Sequence, residues 1–164
     1  MLRTSICAFL LLLTVFVTAQ TTVSGGPIRS YTSPAGYKKT SELADSFQIS
    51  LGSTAVKGVA SHIGILWDAT QGFDLEALTD QARQSLAAQP GMKVTGTEKG
   101  KVGGKDARFI YVTSKTQGGL VKQVTIVTVS GSKVVGIIFT AESSVFSTKL
   151  AALRPTLDKL KWSN

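Results

Sequence analysis

Apolar and polar residues alternate in short runs over most of the chain, and in two places the spacing changes to the three-and-four rhythm of a helix. Residues 47–51 set Phe47, Ile49 and Leu51 against Gln48 and Ser50 and predict a strand. The longer run 55–67 puts Val59, Ile63, Ile65 and Trp67 on one side, together with Ser61, and His62, Gly64 and Leu66 on the other. One face of that strand is expected to be buried. After DATQGFD, the segment DLEALTDQARQSLAAQPG aligns Leu75, Leu78, Ala82 and Leu86 along one helical stripe. Asp74 is placed to cap its start and Pro90-Gly91 to end it, while Asp74, Glu76 and Asp80 put negative charge where a helix dipole favours it.

Four strand-like runs follow, at 93–99, 107–114, 121–129 and 133–140, joined by GKVGGK, KTQGG and SGS. Parallel neighbours need crossovers of about a dozen residues or more, so these short glycine-rich links predict antiparallel hairpins. VKQVTIVTV and KVVGIIFTA carry apolar residues on both faces, and such strands require cover on both sides. The second helix, in SVFSTKLAALRPTLDKLKW, supplies Phe146, Leu150, Leu153, Leu157 and Leu160 along one stripe; Pro155 inside it predicts a kink or a restart. Ahead of all this, PIRSYTSPAGYKK reads as a short strand and a turn around Ser33-Pro34-Ala35-Gly36. Trp67 and Trp162 each follow an apolar stripe and are expected in the core or at its rim. The order of elements defines an α+β class: an antiparallel sheet of about six strands sandwiched by helices in an α/β/α arrangement.

The first residues change the picture by giving the chain an address. Arg3 supplies a positive start, residues 7–17 an apolar stretch, and Val17-Thr18-Ala19 small side chains for cleavage, which together predict a signal peptide over residues 1–19. The apolar stretch falls short of the ~20 residues a spanning helix needs. The single cysteine, Cys7, stands at the start of that stretch rather than after the cleavage point, so a lipid anchor is not expected, and the mature chain has no disulfide to rely on. Residues 20–27, small and polar, read as a flexible tether, and 28–164 as a single domain. The protein is thereby expected to be periplasmic or secreted and soluble, with no transmembrane span once the leader is removed.

Composition adds 18 Lys and Arg against 10 Asp and Glu, a formal net charge of +8. The excess favours anionic lipid head groups, envelope polymers or acidic protein faces as partners. Export disfavours nucleic acid, and the basic residues are scattered rather than massed.

Candidate chemistry is sparse. KGKVGGKDARFIYV is the nearest thing to a motif, because a phosphate-binding loop also combines glycines with a lysine. Residues 96–101 are one residue short of that motif and are followed by Val102 where a hydroxyl is required; Lys105 has Lys99 in place of the first glycine and Asp106 after it. A hairpin turn is the better reading. Lys99, Lys101, Lys105 and Arg108 nevertheless gather on this connection and form a candidate patch for an anion or a partner. With one histidine and no mature cysteine, no metal site or cofactor is expected. His62 is the sole candidate base for a hydrolase, no Gly-x-Ser-x-Gly elbow accompanies it, and it is expected to be a surface or rim residue.

Tyr31-Thr32-Ser33-Pro34-x-Gly36-Tyr37, the helix after Phe73, VGGKDARFIYV, the hairpin VTIVTVSGSKVVGIIFTA and the closing LDKLKW together resemble the PsbP-like proteins, including bacterial DcrB-like and related exported domains. The resemblance spans residues 31–162. It departs where members often carry a Pro-x-x-Trp-like segment, since this chain reads KKTSELADSFQI there. It implies a helix-covered antiparallel sheet and a mostly non-catalytic accessory, assembly or binding role. The expectation is an exported, non-enzymatic protein acting by contact with a protein or envelope partner. The alternatives are a small-molecule or lipid binder with a cavity between sheet and helix, and, further off, a hydrolase centred on His62.

Overall fold

The computed structural model describes residues 19–41, 46–116 and 118–163. The expected signal peptide over residues 1–19, apart from Ala19, therefore lies outside the described residues. The elements run β1 (Thr22–Gly25), β2 (Ile28–Thr32), β3 (Lys38–Lys39), β4 (Ile49–Val56), β5 (Val59–Ala69), α1 (Leu75–Ala87), β6 (Met92–Val102), β7 (Lys105–Thr116), β8 (Gly119–Ser130), β9 (Lys133–Glu142), α2 (Phe146–Asp158) and β10 (Lys161–Trp162). Seven strands form one sheet in the order β3-β4-β5-β9-β8-β7-β6, and β1-β2-β10 form a second. All pairings are antiparallel. The chain leaves β5, crosses through α1 to the far edge at β6, and returns strand by strand until β9 pairs with β5.

Both sheets are larger than alternation alone indicates, and the reasons are local. The run 55–67 is two strands, because Lys57 and Gly58 take positive φ (49° and 78°) and close a two-residue turn between Val56 and Val59. Residues 20–27 are not a free tether, since β1 pairs with β2 and Val23 is buried among the core residues. Two-residue β10 becomes a strand only through its pairing with β2.

The helices match their stripes. Asp74 Oδ1 accepts from the Ala77 amide at 2.8 Å, and α1 ends shortly before Gly91, whose φ is +78°. α2 passes Pro155 without a restart and buries Phe146, Leu150, Leu153 and Leu157. These pack with Ile63, Ile65, Ile126, Ile137 and Phe139 on one face of the sheet. On the other face Leu86 of α1 meets Ile110, Val112 and Val127, joined by Leu75, Leu78 and Ala82. The apolar residues on both sides of β8 and β9 are thus used, but the helices flank the sheet rather than sandwich it, with α1 set against β6, β7 and β8.

Candidate functional site

The basic connection is a hairpin. Gly103 and Gly104 (φ 53° and 81°) turn between Val102 and Lys105, which face each other across the ladder. Gly103 donates its amide to the Leu157 carbonyl at the end of α2 (2.9 Å), and Trp162 Nε1 donates to Val102 O and Gly103 O (3.1 and 3.2 Å). The glycines serve a docking turn.

The four cations are divided rather than focused. Arg108 forks onto Glu76 of α1, with Nε at 3.1 and 3.3 Å from its oxygens and Nη2 also bonded. That contact holds the Glu76 carboxyl below its ordinary range and raises the guanidinium. Lys99 stands opposite Arg108 in register, and Lys101 meets Asp106 at 3.7 Å. Lys105, on the other face by strand alternation, lies 5.7 Å from the centroid of the Trp162 ring.

His62 is placed differently from the rim position its sequence predicts. It is 8% exposed, its Nε2 lies 2.7 Å from Ser50 Oγ, and its ring is tilted against Phe47 at 5.3 Å between centroids. Phe47 reaches this spot because Gly64, beside His62 on the same face, has no side chain: a Cβ there would stand 2.6 Å from the Phe47 ring. Asp68, the acid near His62 in sequence, lies further along β5 and accepts from the Ala69 amide.

His62 and Phe47 line a groove of about 550 Å³. Leu86 of α1, Gln89 just beyond that helix, and Met92 line it as well, as do the β4–β5 turn, Thr116 and Gly118. Its floor is a cross-strand row, His62 opposite Thr140 and Thr140 opposite Gln123, beside Ile138 and Val121. Among the described residues its lining contains no Asp, Glu, Lys or Arg. Such a surface can take an uncharged, mainly apolar group and orient it with a few hydroxyl and amide contacts. Among the described residues no cluster of histidine, cysteine and carboxylate able to hold a metal ion occurs. The sequence names His62 but not the groove, because the row of His62, Thr140 and Gln123 exists only once the register of β5, β9 and β8 is set.

No model of a known protein family matches the sequence, and no curated protein matches it. Among solved structures the chain is similar to LpqN of Mycobacterium tuberculosis, described as involved in cell envelope biogenesis, at 19% identity over 89% of this chain and 91% of that one, with a TM-score of 0.64. It is similar to PA94 of Pseudomonas aeruginosa, described as a protein of unknown function and putative regulator, at 13% identity over 88% and 98%, with a TM-score of 0.58. It is also similar to the cyanobacterial PsbP of Synechocystis sp. PCC 6803, at 10% identity over 97% and 98%, with a TM-score of 0.67. The fold is therefore PsbP-like, as the sequence resemblance implies. At these identities the likeness concerns fold, and function has to be argued from the site.

Proposed function

We propose that the chain is an exported, non-catalytic accessory protein that works by contact with a protein or envelope partner, and that the groove beside α1 is where contact is made. The observation that carries this reading is the groove's uncharged lining in a chain of net charge +8. A partner that inserts an apolar side chain there gains roughly 25 cal/mol for each Å² of apolar surface removed from water. Lysines elsewhere on the surface steer acidic partners and fix no geometry. The description of LpqN as involved in cell envelope biogenesis supports an envelope setting. Among the described residues no helix is long and apolar enough to cross a membrane.

The test is capture after gentle crosslinking in the native envelope, comparing wild type with Ala60→Trp, which fills the groove from its wall. Ala60 is half-buried in the lining. Loss of a stoichiometric partner in the variant, with the far-UV spectrum unchanged, is the expected result; equal capture by both chains removes the groove from the reading. A second reading, a lipid or small-molecule carrier, is favoured by the position of the cavity between helix and sheet. It predicts instead a monomer that carries bound lipid, lost on the same substitution.

A further inference from the structure

A smaller cavity of about 180 Å³ lies on the α2 side of the molecule, between that helix, the loop joining β2 to β3, and the outer part of β4. We propose that it binds a small oxyanion, a carboxylate or a phosphate group, on Lys149 with Ser53 and Tyr37 beside it. This inference is independent of the groove.

Lys149 is half-buried in α2 and lines the cavity, yet among the described residues no carboxylate comes within 4.0 Å of it. Its Nζ donates to Ser53 Oγ at 2.9 Å and stands 5.7 Å from the centroid of the Tyr37 ring. An ammonium has three donors, so this bond leaves two for a ligand. Burial pushes the Lys149 pKa down, the direction expected of a cation held without a counter-ion. An anion accepting from it would reverse that shift.

The neighbours are donors as well. Tyr37 is 4% exposed, and among the described residues its hydroxyl makes no close hydrogen bond, although the Ser53 and Ser61 hydroxyls stand near it. Burial raises the Tyr37 pKa, an effect softened by the nearby Ser53 and Ser61 hydroxyls, so the phenol stays protonated and able to donate at neutral pH. Buried hydroxyls without partners are rare in folded chains and call for a group that satisfies them.

The backbone opens the site. Pairing of β4 with β5 jumps from Gly52 to Ala55, which sets Ser53 and Thr54 out of the ladder; strand irregularities of this kind re-aim side chains. Gly36, in the lining, turns the overlying loop at a φ of +86°. Among the described residues the lining holds one cation, three hydroxyls from Tyr37, Ser53 and Thr54, and no acid.

The experiment is a ¹H–¹⁵N NMR titration of the full chain with sodium acetate and, separately, with inorganic phosphate, at constant ionic strength maintained with chloride. The expected result is a saturable shift confined to the amides of Tyr37, Ser53, Thr54 and Lys149 with at least one anion. A tighter acetate curve identifies a carboxylate ligand and a tighter phosphate curve a phosphate. Lys149→Gln is expected to weaken binding about tenfold or more, as loss of a charge-assisted hydrogen bond does. Tyr37→Phe is expected to weaken it less, and Ala60→Trp to leave it unchanged. Shifts that stay linear in both anions, or an affinity unaltered in Lys149→Gln with a native-like spectrum, overturn the proposal. If Lys149→Gln does not fold, an unaltered affinity in Tyr37→Phe overturns it instead.

Discussion

Gly103 meets two demands at once. Its φ of +53° lies in the left-handed region, and a Cβ on it would stand 2.4 Å from the Leu160 carbonyl oxygen and 2.6 Å from Trp162 Nε1. Gly104 has a similar φ, +81°, but open space around it. Gly104→Ala is therefore expected to cost about 1–2 kcal/mol of backbone strain. Gly103→Ala adds the displacement of Leu160 and Trp162, in the segment after α2, and is expected to cost roughly 1–3 kcal/mol more. Urea unfolding of the two variants side by side checks the difference. The pair was legible in the sequence as a turn, and the failed match to a phosphate loop was legible too; what approaches Gly103 was not, because Leu160 and Trp162 arrive from the far end of the chain. His62 shows the same limit. Its strand and face could be read, but Phe47, which covers it, sits outside any strand and is admitted by Gly64.

Among elements, the helices were the most readable. Asp74, the stripe of α1 and four of the five predicted stripe residues of α2 appear where spacing puts them, with Leu160 buried just beyond the helix, because capping and amphipathic period are local properties. Asp74→Ala is expected to cost about 1 kcal/mol, and Leu153→Ala, at a position with no exposure, about 2–5 kcal/mol. Thermal unfolding monitored by circular dichroism separates the two. Strand boundaries were less readable. The β4–β5 turn carries a single glycine after Lys57 and hides inside an apolar run, whereas β1 and β10 are too short to show a period and form by pairing with β2.

For the whole molecule, carboxylates pin both helices to the sheet. Glu76 ties α1 to β7 through Arg108. Glu98 of β6 binds Arg154 of α2 at 2.7 and 3.2 Å and accepts from the Tyr111 hydroxyl at 2.6 Å, with Arg154 also 5.0 Å from the Phe109 ring centroid. Hydrogen bonds from Arg108, and from Arg154 with Tyr111, hold Glu76 and Glu98 below the ordinary 4.5. Because the folded values lie below the unfolded ones, these contributions are present above about pH 4.5 and are lost as pH falls through the folded values. Both acids are largely exposed, so the effect is modest and shrinks with salt. The urea midpoint is expected to drop as pH is lowered from 4.5, and Glu98→Gln to flatten that dependence; an unchanged slope in the variant counts against the tie. The sequence of strands, helix, meander and helix was readable at this scale, as was the fold family. Groove and anion cavity were not, since each is assembled from segments distant in sequence.

The small sheet has a consequence for how the protein is made. Ile28 and Ser30 wait for Lys161 and Trp162, and the Ser163 amide reaches back to the Pro27 carbonyl at 2.8 Å. That seam cannot close before residues 161–163 have been made. Whatever the large sheet has achieved by then, β2 lacks one of its two partners until that segment is delivered, so removing residues 161–163 should loosen β1 and β2 as well as the stretch after α2.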